Sequence, residues 1–131
     1  MNDVDLWRFL PLGYLFTVAV ETPVLLLGLS PRHPFRRRLF AGLWLTACTY
    51  PVVVLVLPPL FQGSPRALYL AAAETFAPAA ECLLFRLAFG GVAAEGGGVR
   101  PRDFAAVVAA NLLSFLLGEV AGAFDWFGLL R

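Results

Sequence analysis

The sequence contains no lysine. Apart from one histidine, every basic residue is arginine. Charge of either sign is scarce: 15% of the 131 residues, where a soluble domain carries about 25%. The net charge of +1 supplies no field that would gather nucleic acid, and no zinc finger or basic helix is present, so no nucleic-acid partner is expected. Cysteine is limited to Cys48 and Cys82, both inside apolar stretches and without CxxC spacing. That pattern suits small packing residues better than a redox or metal pair. HExxH, GxSxG, a Cys–His pairing and the Glu-x-x-His of di-iron bundles are all missing. The one catalytic reading left open is a carboxylate-only enzyme working through a bound metal. The start, MNDVDLW, is acidic and lacks a basic region, so a cleaved signal peptide is not expected.

What the chain has in quantity is apolar surface: 60% hydrophobic residues and a mean hydropathy of +0.77. A domain of this length cannot bury that much in its own core, so lipid must serve as solvent. A membrane-crossing helix needs about 20 mostly apolar residues. Four windows meet this: roughly 9–29, 39–58, 67–89 and 104–124. Transmembrane strands would show alternation over about ten residues instead. The connectors SPRHPFRRR, PPLFQGSPR and GGVAAEGGGVRPRD are rich in proline, glycine and charge. Pro101 and Asp103 fit the first turn of the fourth helix, where no amide donor is needed and a carboxylate meets the positive helix end. The expectation is an all-α, single-domain membrane protein spanning residues 1–131. Absence of lysine, with abundant Ala, Gly, Leu and Pro, reads as GC-rich coding and hence a bacterial chain.

Arginine is distributed unevenly. Arg32, Arg36, Arg37 and Arg38 lie in the first connector, Arg100 and Arg102 in the third, with Arg86 near the end of the third helix. The other side carries Arg8, Arg66 and Arg131. The positive-inside rule then places both termini outside a bacterial inner membrane. Trp7, Tyr69 and Trp126 fall at the expected outer interface, as aromatic belts do. Arg36, Arg37 and Arg38 are assigned to lipid headgroups and Arg86 to snorkelling. His33, within the same run, is assigned to a solvated loop.

A short internal similarity links TACTYP (46–51) with NLLSFL (111–116), and each of those helices follows a Glu-bearing helix. The fold is therefore expected to consist of two parallel-repeat hairpins about an axis along the membrane normal.

The carboxylates are the functional lead. Glu21, Glu74 and Glu81 sit in stretches otherwise suited to lipid. A charged acid at a helix centre costs about 2.5–3.5 kcal/mol on insertion scales, so these must face the bundle and be protonated, hydrogen-bonded or bound to a cation. At 1.5 Å per residue, Glu21, Thr46, Glu81 and Asn111 share one level, with Thr49 and Ser114 near the midplane. Glu74 and Glu119 lie farther out, with Tyr14 and Tyr50 as neighbours. Glu74 and Glu81 are seven apart and share a face. Asn111, Ser114, Gly118 and Gly122 form a small polar face on the fourth helix, which should admit a close helix backbone.

The expected ion- or proton-binding set is Glu21, Glu81, Asn111, Glu74, Thr46 and Ser114. Oxygen ligands would suit protons or a hard cation such as Na⁺, Mg²⁺ or Ca²⁺, anchored on Glu21 and Glu81 if a metal binds at all. The function expected is a small transporter or channel-like unit, working as a homo-oligomer or within a larger membrane complex. The alternative is a non-catalytic membrane subunit whose acids form a structural hydrogen-bond network. In length, four spans and an acid in helix one, the chain looks a little like the small multidrug-resistance transporters. It departs from them in its strong charge bias, the two further acids of helix three and the Asn/Ser/Gly face of helix four, and no residue role is carried across.

Overall fold

Each apolar window forms a helix long enough to cross a bilayer. The computed structural model describes residues 3–31, 33–90 and 99–123. Arg32, Trp126 and Arg131 lie outside these, so their expected placements are untouched. Helix α1 is Asp3–Gly28, α2 is Phe35–Leu60, α3 is Arg66–Phe89 and α4 is Pro101–Ala123. The 26 residues of α1 extend about 39 Å at 1.5 Å per residue. The helices overrun the apolar windows because a backbone stays helical into the headgroup region, where composition has already turned polar.

Successive helices run antiparallel. Each packs on two neighbours: α1 on α2 and α4, and α3 on α4 and α2. This leaves α1 diagonal to α3 and α2 diagonal to α4. The end holding the start of α1 is called the terminal end, and the end holding residues 29–34 the hairpin end.

Two devices adapt these helices to a setting without free water. The first is in α2, which widens into a π-turn at Val52–Val56 after Pro51. In π geometry the Val53 carbonyl looks to residue 58 for a donor, but Pro58 has no N–H. The Tyr69 hydroxyl donates to that carbonyl instead, at 2.9 Å. Tyr69 is thus a partly buried link between α3 and α2 as well as an aromatic near the helix end. The second device caps α1. The last carbonyls of a helix have no partner of their own. Arg38 donates to Leu26 O at 2.7 Å and Arg102 to Gly28 O at 2.8 Å.

The apolar core sits toward the hairpin end, where Leu25, Leu29, Leu45, Phe85, Ala106, Val107 and Ala110 are buried together. Leucines 15, 27, 43, 83, 87, 112 and 116 are exposed, as lipid-facing residues should be. Close helix approach occurs where α1 meets α2, not along the small face of α4. A Cβ on Gly42 would run into the Thr22 hydroxyl. Gly118, in contrast, has only the Phe16 ring edge, 4.0 Å from where its Cβ would lie, and Gly122 has nothing within that range. The expected backbone approach at Gly118 and Gly122 is therefore corrected: their missing side chains leave open space.

A carboxylate pair at the floor of an internal cavity

The open space left by Gly118 and Gly122 belongs to a cavity of about 610 Å³ that runs down the terminal half of the bundle. Its mouth lies at Phe9, Arg66 and Glu119, its walls include Phe16, Tyr50, Glu74 and Phe115, and its floor is Glu21, Thr46, Glu81 and Asn111. Below the floor, the apolar core fills the interior as far as a buried polar cluster of Ser30, His33 and Asp103 at the hairpin end.

Glu21 of α1 and Glu81 of α3 are each only 2% exposed, although they belong to diagonal helices. Each projects from a helical face that repeats every third or fourth residue: Glu21 lies a turn above Leu25, and Glu81 a turn above Phe85. Every carboxylate oxygen has a partner. Glu21 accepts from the Thr46 hydroxyl at 3.1 Å and from the Ser114 hydroxyl at 2.6 Å. Glu81 accepts from the Thr49 hydroxyl at 2.6 Å and from Asn111 Nδ2 at 2.7 Å. Each acid thus draws one donor from α2 and one from α4. The three hydroxyls also lie near backbone carbonyls of their own helices: Thr46 at 3.0 Å from Gly42 O, Thr49 at 3.0 Å from Leu45 O, and Ser114 at 2.9 Å from Asn111 O. Among the described residues, no three His, Cys, Asp or Glu side chains converge as a metal-binding group.

The other expected positions separate by depth. Glu74, half-buried, lines the cavity above the pair. Glu119 marks the mouth and takes a two-pronged contact from Arg66, at 2.9 and 3.2 Å. Tyr50 lines the cavity, with its hydroxyl against Gly13 and no hydrogen-bond partner. Tyr14 turns away from the acids and donates to Leu43 O at 2.9 Å. Thr49, read from sequence only as a midplane residue, is a direct partner of Glu81.

His33 is a correction. Expected in a solvated loop, it is fully buried. Its Nε2 lies 3.1 Å from Asp103 Oδ2, and its Nδ1 lies 3.3 Å from Arg37. A guanidinium can only donate, so Nδ1 accepts and Nε2 carries the proton toward Asp103. Asp103 also accepts from Ser30 N at 2.7 Å and from Arg100 N at 2.8 Å. The last contact is half of a capping box, with the third residue of α4 reaching back to the helix start. The Phe85 ring meets the His33 ring edge-on at 5.1 Å. Of the arginines assigned to headgroups, Arg36 is exposed. Arg37 lies over the Phe89 ring at 5.3 Å, and Arg38 also donates to His33 O at 2.7 Å. Arg86 is exposed near the hairpin end.

Set against known protein families, curated proteins and solved structures, the chain matches none.

Proposed function

We propose that this protein is a small membrane transport unit that takes up and releases a small cation, the proton first among them, at Glu21 and Glu81. The observation that carries this reading is the position of the pair: two buried carboxylates at the floor of a cavity whose mouth is charged and whose far side is filled with apolar side chains. A purely structural pair would gain nothing from lying beside so large a space. The volume exceeds that of several waters at about 30 Å³ each, and Glu74 supplies a further acid along the way. Such a layout suits access from one side at a time, with the apolar packing as the closed gate. Hydroxyl partners that can accept as well as donate suit a carboxyl in either protonation state, which favours a proton over Na⁺, Mg²⁺ or Ca²⁺.

The exchange of partners across the bundle is what two parallel-repeat hairpins would produce. Glu21 would answer to Glu81, Thr46 to Asn111 and Thr49 to Ser114, each acid taking one partner from its own hairpin and one from the other. Arginine bias supports a bacterial inner-membrane address with both termini outside, so the cavity would open outward. A homo-oligomer, or a place in a larger membrane complex, belongs to the same proposal, since four helices around this cavity leave a thin wall.

The second reading, a structural network, is favoured by the same full set of hydrogen bonds. Purified protein in liposomes holding a pH-sensitive dye separates the two. Transport predicts proton flux that is abolished by Glu21→Gln and by Glu81→Gln, with folding retained. Flux equal to that of protein-free liposomes would remove the transport reading. A structural network predicts that both Gln variants melt as the wild type does while the Leu variants lose stability. For orientation, a single cysteine at position 36 should be labelled only from the cytoplasmic side.

A further inference from the structure

Glu21 and Glu81 hold equivalent places but do not have equivalent partners. A hydroxyl carries one proton and two lone pairs, so it can donate or accept. Ser114 can give its proton to Glu21 or, turned about its own bond, to the Asn111 carbonyl at 2.9 Å. Thr46 has the same choice between Glu21 and Gly42 O at 3.0 Å. When Glu21 is ionised, both hydroxyls donate to it. When a proton arrives, the new Glu21 O–H donates to one hydroxyl oxygen, and that hydroxyl turns to donate its hydrogen bond to its backbone carbonyl. No polar group loses its partner and no backbone moves. The hydroxyls therefore serve either state of Glu21.

Glu81 has only one reversible partner, Thr49. The other is the amide nitrogen of Asn111, which donates in every state. Its second N–H is fixed on Val107 O at 3.0 Å, so the amide is held from turning its oxygen toward Glu81. Glu81 can therefore carry a proton only on the oxygen that faces Thr49, where Glu21 can carry one on either oxygen, and the fixed N–H on the other oxygen of Glu81 favours its charged form. No other titratable group of the cavity decides between the two acids: Glu74, Tyr50 and Tyr69 carry no positive charge that would hold either one ionised, and Arg66 is engaged with Glu119 at the mouth. Two nearby carboxylates in a low-dielectric site do not both ionise readily. A proton on either acid relieves this, and the donor sets bias which of the two takes it.

Resting on the transport reading, we infer that Glu21 is the carboxyl that takes up and releases the proton, that Glu81 is the fixed anion, and that Asn111 makes the difference. Asn111 is a positioning residue in this scheme, since it acts through Glu81.

The test is infrared difference spectroscopy of the full-length protein in liposomes, with ¹³C-glutamate to identify the protonated-carboxyl band through a pH titration. The wild type should show one such band beyond any that Glu74→Gln removes. Glu21→Gln should remove it. Glu81→Gln should keep it with its midpoint at lower pH, because loss of a neighbouring anion makes Glu21 easier to ionise. Asn111→Thr leaves both acids in place and supplies a reversible hydroxyl, so its midpoint should rise as Glu81 loses its bias to the charged form. A band that survives Glu21→Gln and vanishes in Glu81→Gln overturns the assignment, as does an unchanged midpoint in Asn111→Thr. Wild-type liposomes without proton flux but with the expected bands would remove transport and leave the assignment standing. Flux with the reversed bands would do the opposite, and a wild type with no titrating carboxyl would sink both.

Discussion

Asp103 is the acceptor for groups from three places: the Ser30 amide, the His33 ring and the Arg100 amide that begins its own helix. Asp103→Ala would leave the fully buried Ser30 amide and His33 ring without a partner, at about 1–3 kcal/mol for each stranded group. We expect a loss of about 3 kcal/mol or more, read as a lowered thermal unfolding midpoint in detergent, with Asp103→Asn losing less because it keeps one acceptor oxygen. That cluster also shows the limit of reading residues along a chain. Asp103 was legible as a first-turn carboxylate, since that role is local. Its bond to His33 spans 70 residues of sequence, and a histidine among prolines and arginines looks like any solvated one. The acid level was easier to see, because helical rise converts position into depth and Glu21, Thr46, Glu81 and Asn111 fall at one depth whatever their azimuth. Depth does not reveal which donor meets which acid, and so Thr49 reads from sequence only as a midplane residue.

The helices themselves were written in composition, but their special features were not. Four apolar windows give four spans, while the π-turn at Val52–Val56, set between Pro51 and Pro58, is a feature no hydropathy window registers. Small residues were equally ambiguous. Glycine permits either close packing or empty space, and the sequence alone does not say which. Gly42 serves the first purpose against Thr22, Gly118 the second. The two should respond differently to added bulk. Gly42→Val drives methyl groups into α1 and should cost about 1–3 kcal/mol or more, as overpacking does. Gly118→Val meets only cavity, so its melting temperature should stay near wild type. Equal destabilisation of the two would show that α4 packs more tightly than described. Because Gly118 lies between the mouth and the acid pair, its valine variant should still slow proton flux by narrowing the route.

At the scale of the whole molecule, stability and access occupy opposite ends. Buried leucines, Phe85, the Asp103 cluster and the arginine caps are all at the hairpin end, while the described residues of the terminal end include the Arg66–Glu119 and Tyr69–Val53 contacts around an open cavity. A bundle so built should open first at its mouth. Hydrogen exchange should therefore run fastest in the first turns of α1 and α3 and slowest around residues 25–29 and 103–107; the reverse order would contradict this division.

Asp103 also bears on chain continuity. Helix α4 is fastened to α1 and its following loop by Asp103, Arg102 and Ser114, and to α3 by Asn111 and Glu119. The peptide link between residues 90 and 99 then matters little to the finished architecture. Two co-expressed fragments, 1–90 and 99–131, should find each other in the bilayer and copurify, and Asp103→Ala should weaken that reunion far more than it weakens the intact polypeptide.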